Sequence, residues 1–289
     1  MLAIIGLVIV FASVIGGFLM AKGQLAVLVQ PSEFVVIGGA AIGSMLISTP
    51  PKILKEMLRQ LAGIMKSGKS RKDYLDLMVM GYELLMFVRR DGLITIESHL
   101  QNPKESALFG KYNSFTTDAT AVTFLTDTLE LLTSGGSLSH HDLDELLEMD
   151  IEARNEEGTK PSRSLATIGD ALPGLGIVAA VLGVVITMGH IDGPPAEIGH
   201  HVGAALVGTF LGILLSYGMV QPLSSNIAAK VEDYKNYLLV LRSLLVSLQK
   251  NTHPTVAVEL ARRSLPSDLR PTSAELTEAC RAVKNAAAT

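Results

Sequence analysis

Four apolar blocks stand out along a chain whose remaining positions mix polar and apolar residues. They occupy residues 1–21, 34–51, 171–189 and 202–222. A helix needs about 20 consecutive, mostly apolar residues to cross a bilayer. The blocks therefore predict an all-α membrane protein with four transmembrane helices. None of the four blocks contains a side chain that is charged near neutral pH.

The long segment between blocks two and three has the periodicity of helices rather than of strands. Residues 52–66 place apolar side chains on one helical face, and 73–88 and 118–133 are apolar enough for two further helices. Ser139 and Asp142 have the spacing of a capping box, which opens a fourth helix. The inner face of that fourth helix is predicted to consist of Leu143, Leu146, Leu147 and Ile151. We therefore expect a large helical domain here.

Apolar residues after block four recur at alternating spacings of four and three, which is a heptad seam. The seam consists of Ile227, Val231, Tyr234, Leu238, Leu241, Leu245 and Leu248. Block four is thus expected to continue as one long helix. Its seam packs either on the helices within 52–166 or on a neighbouring subunit.

Lys and Arg are distributed unevenly between the loops. Residues 52–72 contain seven of them, the first short loop has only Lys22, and the loop after block three has none. Because an excess of Lys and Arg marks cytoplasmic loops, both termini and the long segment are expected in the cytoplasm. Block one lacks the basic start of a signal peptide, so it is expected to be a retained span. The predicted divisions are 1–51 and 171–222 in the membrane, and 52–170 and 223–289 outside it.

Composition agrees with a membrane protein and excludes several other classes. The 289 residues are 48% hydrophobic and 18% charged, against about 25% charged in ordinary soluble domains. A net charge of −4 gives no indication of nucleic-acid binding. The single cysteine, Cys280, excludes an intramolecular disulfide. We find no phosphate loop, nucleophile motif or metal triad, so neither an enzyme nor a cofactor is expected.

The absence of charged side chains from the four blocks bears on function. Ion pathways through membranes are normally marked by buried ionisable residues. If this protein moves a proton, the titrating carboxylate is therefore expected to come from another chain. His190, His200 and His201 flank the outer loop. They are either metal ligands or, as the commoner case, solvated histidines at the membrane surface.

Prolines and glycines suggest how the spans bend and pack. Pro173 begins span three and Pro222 ends span four, so the two lie at one predicted depth. They mark either a hinge level or only the helix boundaries. The pairs Gly39–Gly43 and Gly208–Gly212 form GxxxG patterns, which serve either helix association between chains or packing within one subunit.

A charged stretch at 89–106 is the candidate docking surface outside the membrane. Arg89 and Arg90 end a predicted helix, Asp91 and Gly92 form a turn, and Glu97 follows shortly after. Such a run is either a solvated helix end or a surface whose opposite charges orient a partner.

Four segments together resemble the MotA family of flagellar stator subunits, within the wider MotA/TolQ/ExbB proton channel family. They are GDALPGLGIVAAVLGVV (169–185), PPAEIGHHVGAALVGTFLGILLSYG (194–218), RRDGLITIESHLQNPKES (89–106) and RPTSAELTEACRAVKN (270–285). The resemblance covers essentially the whole chain in order, including four spans with a large loop between spans two and three.

The resemblance implies a self-assembled pentamer in the bacterial inner membrane, built around two copies of MotB. An aspartate of MotB carries the proton, and the cytoplasmic domain pushes on the rotor protein FliG. It implies rotor contacts at Arg89 and Glu97, with Arg90 as a possible substitute for Arg89.

It further implies a proline pair at Pro173 and Pro222 and a channel-lining threonine at Thr209. Sodium-driven relatives have a threonine at the position of Ala180. An alanine offers no oxygen to replace the water around a sodium ion, so protons are the expected cargo and sodium is disfavoured.

Two alternatives remain from the sequence. An energiser of the ExbB or TolQ kind is disfavoured, since those relatives have three spans and this chain has the charged segment around Arg89 and Glu97. A membrane scaffold or receptor that moves no ion would suit the uncharged spans equally well. Proton flux distinguishes it from a channel.

Overall fold

A computed structural model describes residues 2–65, 68–135 and 138–286, and these ranges contain helices and connecting turns but no strand. The helices of the first half are α1 (Leu2–Met20), α2 (Leu25–Leu28), α3 (Pro31–Ser48), α4 (Pro51–Ala62), α5 (Arg71–Asp91), α6 (Glu97–Leu100), α7 (Asn113–Thr116) and α8 (Ala119–Thr133). Those of the second half are α9 (His140–Met188), α10 (Pro195–Leu215), α11 (Gln221–Gln249), α12 (Pro254–Arg263) and α13 (Ser273–Ala286). Short 3-10 turns occupy Gly63–Met65 and Ile94–Ile96, and a π-helical turn occupies Ser216–Val220.

The chain divides into two compact units. The first unit is formed by residues 1–66 and 158–230, and the second by residues 67–157 and 231–289. Helices α9 and α11 each contribute to both. The ranges 52–170 and 223–289, predicted as single stretches outside the membrane, are each shared between the units.

Four helical stretches are long and apolar enough to cross a membrane, which confirms the four predicted spans. They are α1, the stretch Leu25–Ser48, α9, and the continuous stretch Pro195–Gln249. The prediction that span four continues as a long helix is confirmed. Span three continues in the other direction, since α9 runs unbroken for 49 residues and includes Pro161 and Pro173. The predicted helix after Ser139 and span three are therefore one helix.

The start of span two corrects the sequence analysis. Helix α3 begins at Pro31 rather than Phe34, with the proline at its first turn, where the fixed φ angle suits a helix and no N–H is lost. Glu33 is therefore part of the span, and its side chain is buried. The prediction that the spans carry no charged type of residue is wrong at this position.

The second unit is organised around a large apolar core. A Ser70–Asp73 capping box opens α5, and Asp118 accepts a hydrogen bond from the backbone of Ala121 at the start of α8. This confirms the predicted helices at 73–88 and 118–133. The largest side chains enclosed in this core are Tyr74, Phe109, Phe115, Phe124 and Tyr237.

Two details of the predicted helical faces change in the structure. Ser139 caps α9 as expected, by accepting a hydrogen bond from the Asp142 N–H at 3.1 Å. Leu146, however, is exposed, whereas its predicted neighbours Leu143, Leu147 and Ile151 are buried.

The heptad seam on α11 is broader than predicted. Leu238, Leu241 and Leu245 are buried, but so are Tyr237 and Leu244 beside them. The helix is therefore enclosed on more than one face within the second unit, as the core of a globular domain requires.

Candidate functional site

Spans three and four approach so closely at their glycines that backbone meets backbone. A Cβ atom added to Gly176 of α9 would lie 2.7 Å from the carbonyl oxygen of Gly208 and 3.1 Å from the Cα of Gly212. Such distances leave no room for any side chain. The Gly208–Gly212 pattern thus serves packing within one subunit, which was one of the two alternatives for it.

The other glycine pattern behaves differently. Side-chain atoms added to Gly39 or Gly43 of α3 would meet nothing within 4 Å. In the single subunit, the glycine pair on α10 is therefore covered by a neighbouring helix, whereas the pair with the same spacing on α3 is not.

The turn before Pro173 is bonded to the turn before Pro222. Proline has no N–H, so Pro173 leaves the carbonyl of Gly169, four residues earlier, without its helical donor. The buried Ser216 hydroxyl donates to that carbonyl oxygen at 2.6 Å. Gln221 strengthens the contact by donating from Nε2 to Asp170 Oδ1 at 2.6 Å.

The backbone around Pro222 is itself irregular. The π-helical turn Ser216–Val220 ends immediately before Gln221 and Pro222. Such turns usually accompany an interrupted hydrogen-bond ladder and are frequent at functional sites. The structure thus brings the surroundings of both prolines together, and a hinge at this level stays a prediction.

Ala180 and Thr209 lie at the same contact between spans three and four. A Cβ on Gly208 would be 3.1 Å from the Ala180 nitrogen, and a Cβ on Gly176 would be 3.2 Å from the Thr209 Cα. Both residues are half-buried in the single subunit. The backbone at the two predicted channel positions is therefore held in place by glycine packing.

Glu33 joins this contact, although sequence reasoning had missed it. Its side chain is only 7% exposed. Its Oε2 atom occupies the place that a Cβ on Gly208 would take, and that oxygen has no hydrogen-bond partner among the described residues. The only signal in the sequence was a proline two residues earlier, which can open a helix before the apolar run begins.

The predicted docking residues Arg89, Arg90 and Glu97 are all exposed on the second unit. Arg90 forms an ion pair with Asp91 at 2.7 Å, and its hydrogen bond lowers the pKa of the Asp91 carboxyl. In the part of the chain that the structure describes, Arg89 and Glu97 form no ion pair.

A small anchored turn presents Glu97. Its neighbours Ile96 and Leu100 are buried, while the His99 ring packs edge-on against Phe87 at 5.0 Å. Glu97 lies between these inward-facing anchors, so its carboxylate points outward from a fixed backbone.

The three histidines by the outer loop are exposed or half-buried. The rings of His190 and His201 stack at 5.8 Å, and those of His200 and His201 lie 6.1 Å apart. Across 2–65, 68–135 and 138–286, no three His, Cys, Asp or Glu side chains converge as a metal site would require.

Comparison with known proteins accounts for nearly all of the chain. Residues 4–92 match the family described as motility protein A N-terminal, and residues 118–238 match the MotA/TolQ/ExbB proton channel family. Motility protein A of Escherichia coli is 38% identical over 286 residues, which cover 99% of this chain and 97% of that protein.

The chain belongs to the motility protein A family. It is a stator subunit of the bacterial flagellar motor within a proton channel family, and it is not an enzyme.

Solved structures of two family members share its fold. The chain superposes on C. jejuni MotAB with a TM-score of 0.76 at 22% identity, covering 92% of this chain and 96% of that one. It superposes on the flagellar MotAB stator complex from Bacillus subtilis with a TM-score of 0.72 at 22% identity, covering 89% and 92%. The four-span helical architecture is therefore that of this family.

Proposed function

We propose that this subunit forms a proton channel with MotB, which contributes one membrane helix carrying an aspartate. The family membership over almost the whole chain supports this proposal most directly. The spans also leave broad apolar faces for neighbours, because α1 buries none of its residues in the single subunit and α9 exposes Val181, Val185 and Ile186. A pentamer of these subunits around two MotB helices would cover such faces.

Protons are the proposed cargo rather than sodium ions. Ala180 presents a methyl group at the contact of spans three and four, where it supplies no oxygen for a dehydrated sodium ion. Thr209, whose backbone lies at the same contact, has a side chain with a single hydroxyl. One proton releases about 2.3 kcal/mol for each 100 mV of membrane potential, which is enough to bias a movement at the proline level.

The proposed output is torque on the rotor protein FliG through Arg89 and Glu97, with Arg90 as a secondary contact. Arg89 and Glu97 are exposed, lack an ion pair within the described chain, and sit on anchored backbone. Charges of this kind orient a partner and speed its engagement more than they tighten binding.

The subunit is proposed to lie in the bacterial inner membrane with both termini in the cytoplasm. The seven Lys and Arg residues of 52–72 support this orientation, since the outer loop at 189–194 has none. The second unit then lies on the side where a rotor is accessible.

Reconstitution into liposomes tests the channel. The subunit together with an aspartate-bearing MotB, whose channel-blocking segment has been removed, should conduct protons under an imposed potential. Flux should disappear when the MotB aspartate is changed to asparagine, and the subunit alone serves as the control. A paired complex that conducts no protons would contradict the channel and favour a scaffold.

Charge reversal tests the rotor contact. Arg89→Glu and Glu97→Lys should each abolish or strongly reduce swimming while leaving the amount of membrane-assembled complex unchanged. Glu145→Lys is a matched control, because Glu145 is exposed on α9 of the same unit. Normal swimming in both reversals would refute the contact.

A further inference from the structure

Glu33 is a carboxylic acid within the membrane-spanning bundle of this subunit. It is the third residue of α3, and its Oε2 atom lies beside Gly208 of span four. A Cβ added to the same glycine would lie 3.1 Å from the Ala179 Cβ and from the Ala180 nitrogen of span three. Ala179 is nine residues from Met188, the outer end of α9. At ~1.5 Å of rise per residue, Glu33 reaches a level ~13 Å below that end.

Among the described residues, no basic side chain forms an ion pair with Glu33. Residues 171–188 of span three and 202–215 of span four contain no Asp, Glu, Lys, Arg or His, and α2 consists of Leu, Ala, Val and Leu. An ionised carboxylate without a partner is strongly disfavoured in such an environment. In these surroundings the neutral form of the Glu33 carboxyl is therefore favoured over the carboxylate.

Two features nevertheless allow this carboxyl to release its proton. Glu33 sits in the first turn of an 18-residue helix, where the positive end of the helix dipole stabilises a negative charge. Its Oε2 atom is buried without a hydrogen-bond partner among the described residues, so an oxygen is available to a water molecule that enters beside it.

The glycine at position 208 leaves room for this carboxyl. A Cβ there would lie well inside contact distance of Glu33 Oε2, so the end of the Glu33 side chain would have to move away. The glycine thus has a second effect besides close helix packing, because it admits an acid to the contact that holds Ala180 and Thr209.

We propose that Glu33 is a second proton-binding carboxyl group of the channel, in the wall formed by this subunit. Its O–H bond breaks as the proton passes to an entering water molecule, and the carboxylate is then reprotonated from the outer side. The MotB aspartate is a separate site, so the proposal rests on the proposed channel function and adds a relay to it.

Flux measurements on the complete complex test the relay. Glu33→Gln keeps the size and the neutral state but cannot exchange a proton, so flux should fall about tenfold or more, in line with the loss of a positioned proton-transfer group. Glu33→Asp should keep part of the flux. Ser32→Ala and Glu197→Gln are controls, since both side chains are exposed in the same unit and their variants should conduct normally.

Infrared difference spectroscopy provides a readout that does not depend on transport. Subtracting the spectrum of the Glu33→Gln complex from the wild-type spectrum should leave the band of one protonated carboxyl group at neutral pH. Absence of that band overturns the proposal, and so does Glu33→Gln flux equal to wild type. A wild-type complex without any flux would instead refute the channel itself, so the two failures are distinguishable.

Discussion

The two units of the subunit differ in how their helices meet. In the first unit, spans three and four approach closely at Gly176, Gly208 and Gly212, where side chains are missing. Smaller apolar clusters around Ile37 and Met57 are buried in the same unit. In the second unit, large aromatic side chains such as Phe124 and Tyr237 are fully enclosed. The contact of spans three and four therefore depends on small residues, whereas the core of the second unit depends on large ones.

The difference follows from what surrounds the helices, because packing in water and packing in a lipid bilayer are driven by different forces. Burying apolar surface away from water drives the packing of a soluble core. Lipid chains are as apolar as leucine, so helices in a bilayer gain little from burial and rely on close contact and on hydrogen bonds. The Ser216 hydroxyl at the end of span four accordingly donates to the Gly169 carbonyl oxygen of α9 at 2.6 Å.

The largest expected effect is at Phe124, which tests the aromatic core of the second unit. Phe124→Ala removes an enclosed ring and should lower the free energy of unfolding by about 3–5 kcal/mol. Cys280 is the single cysteine and is buried in the same core, so its rate of labelling by a thiol reagent should rise. Phe34→Ala, at an exposed position of α3, should leave that rate unchanged. Equal labelling of wild type and Phe124→Ala would contradict the comparison.

The next largest effect is expected at Gly212, which tests the close contact between spans three and four in the first unit. A Cβ there would lie 2.5 Å from the Leu172 oxygen and 2.9 Å from the Gly176 Cα. Gly212→Ala should therefore destabilise the first unit by about 1–3 kcal/mol, measured by unfolding the detergent-solubilised chain with SDS. Gly39→Ala is the matched control in an open pattern. Equal losses in both variants would show that the glycine contact does not stabilise the unit.

A smaller effect is expected at Ser216, which isolates the hydrogen-bonded part of the contact. Ser216→Ala leaves the Gly169 oxygen without a donor and should cost about 1 kcal/mol in the same SDS titration. Ser225→Ala changes an exposed serine on the following helix and should cost nothing measurable. If the two alanine variants unfold alike, the bond contributes no stability.

The smallest effect is on the surface of the second unit. Arg262 and Arg263 each donate to Glu259 at 2.8 Å, and these bonds lower the pKa of Glu259 from 4.5 to about 2. The stabilisation is therefore complete above pH 4.5 and is lost as the pH falls towards 2. Because Arg263 is largely exposed, we expect less than about 1 kcal/mol.

Thermal unfolding at several pH values measures this contribution. The stability difference between wild type and Glu259→Gln should be largest near pH 6 and should shrink as the pH approaches 2. Glu278→Gln, at an exposed position on α13, should show no such dependence. A difference that does not change with pH would exclude the ion pairs as its source.

The pattern of apolar residues predicted the four spans, because a run of about 20 such residues has few other stable environments. It could not predict which glycine pattern packs, since Gly39–Gly43 and Gly208–Gly212 have the same spacing. Nor could it bring Ser216 to Gly169, which is 47 residues away along the chain. That contact depends on how two spans are aligned in three dimensions.

The site residues show the same division. Arg89, Glu97 and Pro173 stand out in the sequence itself, and the resemblance to a family assigns roles to them and adds Thr209; the structure adds their exposure or packing. Glu33 could not be found in this way, because it immediately precedes the apolar block that begins at Phe34 and so falls just outside it. Its burial depends on α3 starting at Pro31 and on the space beside Gly208.

The two prolines inside α9 lie 12 residues apart, at positions 161 and 173. At ~100° of rotation per residue, 12 residues turn the helix by three full circles and about 120° more. The two prolines, each of which lacks an N–H to donate, therefore lie on different sides of the helix, about 120° apart. A bend opening at one of them would be directed at an angle to a bend at the other, so the two together would turn the helix axis rather than only tilt it.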